Sequence, residues 1–500
     1  MSLAGTVLVA LCNESNEFIL CHSAETIADD AKVCNCPEVR YSGFIMIREE
    51  YLPAFAGKKI TVMGLGLLGR GIGDIQFLAE CGAELIVTDL KTEEQLAESV
   101  AKIADFTNIT LRLGEHRLED FEGRDMIVKA AGVPLDSPFI TRAREQGIRI
   151  AMSAELFAEI SGIPVIAVTG TRGKSTVTNL IHHVLTHATE GVVLLGGNVR
   201  GISNLQLLKD VADDSVIVME LDSWQLQGFG ESKRSPNIAV FTTFLDDHLN
   251  YYNNDRDAYF NDKANIFRYQ NGGDTLVTTP SVLKLAQEHA KKHGYQLDQE
   301  VVLADASTLP DDVMVPLLGE HNQMNAALAY EALRAMGLEH EEIATYIASF
   351  PGVEGRLQRL GTTKEKVLVY NDNNATTPDA TVAALKALGD ESRRDLVLIL
   401  GGADKKLDTK ELFATIDTYV KAAVWLPGTG TDAYTSYRDT SKNVKHILTK
   451  NLEEAVAEAR GAAEAGDIIV LSPAFASFGL FQNEYERNDQ FVKLIEPHLQ

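Results

Sequence analysis

The sequence predicts an α/β chain of three domains, and two observations carry that expectation. Apolar, β-branched runs of strand length recur at 191–197, 215–221, 237–244, 366–372, 395–402, 422–428 and 467–473, with helix-like segments between them. That alternation belongs to mostly parallel sheets with helices on both faces. Glycine turns twice join a strand to a helix, at Gly64–Gly69 and at Gly170–Gly173. A length of 500 residues suits about three domains of roughly 150 residues each.

Residues 1–55 read as an extension without an assigned role. The first domain, 56–162, opens with "GKKITVMGLGLLGRGIGDIQFLAECGAELIVTDLK". Gly64, Gly66 and Gly69 form G-x-G-x-x-G between a strand and a helix, and Asp89 ends the next strand. That context points to a nucleotide or dinucleotide whose pyrophosphate rests on a helix N-terminus. The second domain is placed at 163–353 and the third at 354–500. In the third, "TTPDATVAALKALG" has Pro just inside a helix start and Gly just past its end.

Composition narrows the function classes. A formal net charge of −25 disfavours nucleic acid and anionic membrane as partners. No apolar run reaches the roughly 20 residues of a membrane span, and the N-terminal stretch lacks a basic n-region, so no signal peptide is expected. Four of the five cysteines, Cys12, Cys21, Cys34 and Cys36, lie in the first 36 residues. An odd count suits reduced cytoplasmic thiols, and Cys34-Asn-Cys36 is too closely spaced for a usual zinc site.

The stretch "VIAVTGTRGKSTVTNLI", 165–181, carries the chemistry. The longer P-loop pattern would have glycine where Val168 stands, so this is a shorter cradle, Gly170-Thr171-Arg172-Gly173-Lys174-Ser175-Thr176. Its glycines let backbone amides approach phosphate oxygens, and the following helix adds its positive end. Lys174 suits bridging phosphates, and Ser175 or Thr176 suits Mg²⁺. Glu220 ends one later strand, and Asp246, Asp247 and His248 follow another. Strand ends of this kind meet at the rim where open α/β sheets bind ligands.

Gly170–Thr176, "ELDSWQ" (220–225), "DDHLNYY" (246–252), "GEHNQMNAALA" (319–329) and "LSPAFASFGLFQNEYERNDQF" (471–491) follow one another as in the Mur ligases. The chain resembles that family over about residues 57–498, and its last segment is similar to the MurD branch. The resemblance implies a Rossmann-like N-terminal domain that holds a uridine diphosphate. It implies a central P-loop ATPase-like domain with a mostly parallel sheet, and a C-terminal Rossmann-like α/β domain that closes over ATP. The implied activity is ATP-dependent ligation of D-glutamate to UDP-N-acetylmuramoyl-L-alanine through an acyl phosphate, for peptidoglycan precursors. A cytoplasmic monomer using Mg²⁺ is expected.

The resemblance also assigns residues. Gly170, Thr171, Gly173, Lys174, Ser175 and Thr176 are expected to cradle ATP, with Asn325 at the adenine and Arg356 and Asp372 reaching in from the third domain. Ser175, Glu220, His248 and Lys263 are the expected metal set, Lys263 as a carbamate; Lys174, His248 and Lys263 are the expected catalytic residues. Gly64, Gly66, Gly69, Asp89, Asn198 and Gln225 are expected at the sugar nucleotide. Thr376, Lys405 and Ser477 are expected around the amino acid.

Three places depart from the family pattern. Asp222 replaces a hydroxyl residue, Asn373-Asn374 replace Ser-Lys, and Glu484 replaces an aromatic. A lost lysine near the amino-acid pocket leads us to expect a raised KM for D-glutamate or a preference for a less anionic amino acid. A relative joining another amino acid, such as a folylpolyglutamate synthase, and an ATP-binding protein without turnover remain as alternatives.

Overall fold

The structure, a computed structural model, describes residues 9–12, 18–21, 49–66, 69–247 and 251–500. Cys34, Cys36 and His248 lie outside the described residues. The chain forms two units, 1–46 and 47–500. In the first, strands β1 (Val9–Cys12) and β2 (Phe18–Cys21) pair antiparallel.

The second unit holds three sheets in chain order. The first has β3 (Lys59–Met63), β4 (Glu84–Asp89), β5 (Ile109–Leu113), β6 (Met126–Lys129) and β7 (Arg149–Ala151). Its order is β5-β4-β3-β6-β7, parallel throughout. The second has β8 (Val165–Thr169), β9 (Val193–Gly197), β10 (Val216–Glu220), β11 (Ile238–Phe241), β12 (Thr275–Thr278) and β13 (Glu300–Leu303). Its order is β13-β12-β11-β8-β10-β9, also parallel throughout. The third has β14 (Gln358–Thr362), β15 (Leu368–Asn371), β16 (Leu396–Gly401), β17 (Val420–Leu426), β18 (Lys445–Leu448) and β19 (Ile468–Leu471). Here β14 pairs antiparallel at the edge of an otherwise parallel sheet, in the order β14-β15-β19-β16-β17-β18.

These elements follow from the sequence. Every residue of β8 is buried because helices cover both faces of its sheet, so its pattern is continuous rather than alternating. The helix Lys174–Ala188 buries Val177, Leu180, Ile181, Val184 and Leu185 at three- and four-residue spacing. The expected Pro-to-Gly helix is present as Pro378–Leu388, with Gly389 at its C-cap.

Residues 49–55, assigned from sequence to the extension, pack on the first sheet's domain. Tyr51 and Phe55 are buried in its core, and the Phe55 ring meets Phe77 edge-on at 6.0 Å between centroids. Phe55→Ala is therefore expected to destabilise by about 3–5 kcal/mol, the usual range for a buried Phe. Denaturant unfolding of parent and variant checks this; a silent Phe55→Ala would show that this segment does not hold the domain.

Candidate functional site

The loop after β8 is shaped by close approach. A Cβ on Gly170 (φ +143°) would lie 2.0 Å from the Thr242 hydroxyl, and one on Gly173 (φ +87°) would lie 2.4 Å from Asn325 Oδ1. Both positions therefore require glycine. The loop is held to the end of β11: Thr171 N–H donates to the Thr243 carbonyl (2.7 Å) and Arg172 N–H to the Thr243 hydroxyl (2.9 Å). Val177 N–H is the first to bond back along the helix, to Gly173 O at 3.0 Å. The amides of Lys174, Ser175 and Thr176 thus have no intrahelical acceptor, and they form an anion-binding end.

Two lysines converge on one carbonyl. Lys174 Nζ donates to Gly170 O at 3.1 Å and to Thr171 O at 3.3 Å. Lys263 Nζ, from the helix Arg256–Ala264, donates to the same Gly170 O at 2.9 Å. Burial drives the Lys263 pKa well below the usual lysine range, and the Lys174 charge adds to the shift. Asp222, Asp247 and Glu220 oppose it. Burial also lowers Lys174, with Glu220 opposing.

Strand order explains why these acids are near. β8 lies between β10 and β11, and Glu220 at the end of β10 is paired with Val168. Acids from β10 and from the segment after β11 therefore flank the loop on its two sides. Asp247 also accepts from Arg172 Nη1 at 3.3 Å.

The third domain reaches this loop directly. Arg356 Nη2 donates to the Ser175 hydroxyl at 3.0 Å. Asp372 accepts from Leu357 N–H (3.0 Å) and Ser472 Oγ (2.8 Å), so it fixes the turn that aims Arg356. Burial pushes the Asp372 carboxyl up to about 7. Arg172 Nη2 donates across to Thr377 (3.3 Å) and Asp379 (3.4 Å).

On the other side, a cavity of about 250 Å³ lies between the first two sheets, lined by Gly64, Gly66, Arg70, Lys129, Asn204 and Gln225 among others. Gly69 is left-handed (φ +83°) and opens the helix Arg70–Glu80. Asp89 does not face outward: its Oδ2 accepts from Leu65 N–H (3.0 Å) and Gly66 N–H (3.2 Å), so it braces the glycine turn. Asn198 accepts from Arg70 Nη1 at 2.6 Å, and its own N–H donates to Glu220 O at 2.6 Å. That chain of bonds joins the cavity to the end of β10, the strand beside β8.

Three family profiles match in succession: the Mur ligase MurD-like N-terminal domain over 58–152, the Mur ligase middle domain over 168–333, and the Mur ligase glutamate ligase domain over 355–475. A UDP-N-acetylmuramoylalanine--D-glutamate ligase of Roseiflexus sp. (strain RS-1) is 36% identical over 472 residues, 88% of this chain and 99% of the relative. The chain belongs to the Mur ligase family. An enzyme of the same name from Clostridioides difficile (strain 630) is 31% identical, over 87% of this Mur ligase and 97% of its own length. Among solved structures, the UDP-N-acetylmuramate-alanine ligase MurC of Thermotoga maritima shares the fold, with a TM-score of 0.55 and 19% identity. That match covers 88% of this Mur ligase and 99% of the other chain.

In this Mur ligase the remaining predicted residues fall into two groups. Asn325 packs beside Gly173 and donates to Asn322 Oδ1 at 2.9 Å. Lys405 Nζ donates to Thr376 Oγ1 at 3.1 Å, and Ser477 is buried. Asp247, Arg172, Glu484 and Arg487 are the charges acting on Lys405. Asn373 has a different place from the one its departure suggests. It is fully buried, and it accepts from Arg487 Nε through Oδ1 (2.7 Å) and from Nη2 through its backbone carbonyl (2.8 Å). A buried guanidinium therefore stands behind the loop that lost its lysine. Burial lowers Arg487 to about 10, and Glu484 opposes that shift.

Sequence reasoning passed over Arg70, Lys129, Arg172 and Arg487. Arg172 lies inside the phosphate motif and Arg70 directly follows Gly69, so both had a positional signal. Lys129 had none. It ends β6, is buried at the cavity wall, and donates to Val133 O at 3.0 Å. Burial lowers it to about 8, with Asp262 opposing.

Proposed function

We infer that this Mur ligase is an ATP-dependent ligase that joins D-glutamate to UDP-N-acetylmuramoyl-L-alanine, making a peptidoglycan precursor. The observation that carries the reading is the convergence of Lys174, Lys263 and Ser175 on one glycine loop, with Arg356 arriving from the third domain. The sugar nucleotide lies in the cavity between the first two sheets. Its pyrophosphate meets the Gly64–Gly69 turn and Arg70, and Gln225 and Asn198 lead its alanyl carboxylate toward the phosphate loop. ATP lies on Gly170–Thr176, with Asn325 on the loop's flank.

The donor set fits Mg²⁺. The Ser175 hydroxyl and the buried Glu220 carboxylate are hard oxygen donors beside the loop, which suits a hard cation. Ser175, Glu220 and a carbamylated Lys263 would hold it, with His248 expected from the sequence to complete the set, and when bound it would offset charge on the phosphates. Lys174 adds a fixed positive charge at the γ-phosphoryl group, and the amides of 174–176 add oriented dipoles.

The alanyl carboxylate oxygen bonds to the γ-phosphorus while the bond to ADP breaks. The resulting acyl phosphate is attacked by the amine of D-glutamate, and phosphate leaves with the oxygen it gained. The amine proton is released in the same stage. Thr376, Lys405 and Ser477 hold the amino acid, and Arg172 and Arg356 keep the third domain over the loop, so positioning supplies much of the rate.

The test measures phosphate release with ATP and UDP-N-acetylmuramoyl-L-alanine across a panel of amino acids, with product masses. D-glutamate is expected to be used, and turnover without any amino-acid dependence would end the reading. Asn374→Lys restores a cation at the edge of the amino-acid site. The side chain there now donates to Glu354 O at 3.3 Å. For a partly exposed ion pair, a gain of about 0–1 kcal/mol is the scale, so kcat/KM for D-glutamate rises up to about fivefold. An unchanged kcat/KM would show that Lys405 and Arg487 already suffice.

A further inference from the structure

A second cluster of ligating side chains lies away from the nucleotide loop. The helix Pro280–His293 carries His289 and His293 one turn apart, and the first turn of Arg256–Ala264 carries Asp257. Residues four apart share one helix face. Each of the three offers one ligand atom, and those atoms all lie within 4.8 Å of one another.

His289 gives the cluster its meaning. It is 4% exposed, and its Nε2 has no hydrogen-bond partner. A buried ring nitrogen without a partner is a cost that a ligand would remove. Its other nitrogen, Nδ1, lies 2.8 Å from the Tyr295 hydroxyl. The tautomer that donates Nδ1–H to Tyr295 leaves the lone pair on Nε2, the outer-shell arrangement of metal-binding histidines.

A cation already sits at the carboxylate. Lys292 Nζ is 2.8 Å from Asp257 Oδ2, and its side chain is 60% exposed, so it can swing into water. A groove of about 280 Å³ lined by Asp257, His289, Lys292, Phe244 and Phe260 adjoins the cluster and gives an entry path.

We propose that Asp257, His289 and His293 form a binding site for a first-row divalent transition metal, Zn²⁺ or its neighbours Co²⁺ and Ni²⁺, separate from the nucleotide site. Two imidazoles and one carboxylate suit these ions, and three protein ligands leave a position for water. Mg²⁺ is a poor competitor because it favours oxygen donors. A filled site ties together two helices, and one of them carries Lys263 six residues beyond Asp257.

The test uses the full chain stripped of metal with a chelator. Zn²⁺ binding is read by competition with a chromophoric chelator, and Co²⁺ by its visible absorption, both with excess Mg²⁺ present. One equivalent is expected to bind with Kd in the micromolar range or tighter. His293→Gln and Asp257→Asn, at side chains 27% and 43% exposed, are each expected to weaken it and to abolish the Co²⁺ band. The loss is on the order of 10- to 100-fold, at least that of a lost outer-shell partner. Circular dichroism establishes that both variants fold. No equivalent bound tighter than millimolar, or binding undiminished in both folded variants, overturns the proposal.

Discussion

Lys174→Ala lowers kcat about 10³-fold while the protein keeps its fold. The amine is placed by the glycine loop, 3.1 Å from Gly170 O and 3.3 Å from Thr171 O. Its charge therefore needs no reorganisation when the γ-phosphoryl group transfers. Losing one preorganised charge stabiliser removes about 10²–10³ in rate, and a factor of 10³ is about 4 kcal/mol. The upper end applies because Lys174 is the cation fixed by this loop itself. Arg356 and Arg172 come from longer, more exposed side chains that already bond Ser175, Asp247, Thr377 and Asp379. Single-turnover phosphate release separates the chemical step from product release. Near-parent turnover by the variant would place the transferring phosphate elsewhere.

Lys263→Ala is expected to lower activity by about 10²-fold or more, with partial rescue by added short carboxylates. The surroundings of this amine would favour its carbamylation. It is buried against Gly170 O beside the Lys174 amine, and two ammonium ions there are unfavourable. The neutral amine can bond through nitrogen to the carbon of CO₂ and release a proton. The product is an anion beside Lys174, so a like-charge pair becomes an opposite-charge pair. Only the deprotonated amine reacts. Burial lowers the Lys263 pKa from the usual lysine range, so more of the amine is deprotonated at a given pH, and any carbamylation is expected to be lost as pH falls through that lowered value. Activity in CO₂-stripped buffer is expected to fall and to return with bicarbonate. A ¹³C-bicarbonate spectrum with no carbamate signal, together with no response to stripping, would refute the modification.

Much of the site could be read from local pattern. The phosphate loop needs glycine at two backbone positions, a strand before and a helix after, and all of that is short-range. Glu220 was legible because it ends an apolar run. Weaker elements were not. β14 is a polar edge strand, Gln358–Thr362, and β18 is four residues of partly exposed chain, so neither has a buried face to print a pattern. The packing of 49–55 was not legible for a related reason. Tyr51 and Phe55 belong to a core whose other members, such as Phe77, come later in the chain.

The sequence alone determined the three α/β domains, the glycine loop with its lysine and hydroxyls, and the family to which they belong. Those features depend on periodicity, glycine conformation and order along the chain, which are local. Tertiary structure decided which distant groups meet. It inserted β8 between β10 and β11, so that acids following two other strands flank one loop. It turned Asp89 inward to brace a turn, and it used Asn373 to hold a buried Arg487. It also set Lys263 against the carbonyl that Lys174 already uses. Sheet order, burial and side-chain direction arise from packing segments far apart in sequence. No local window of residues contains the charges and close contacts that such packing creates.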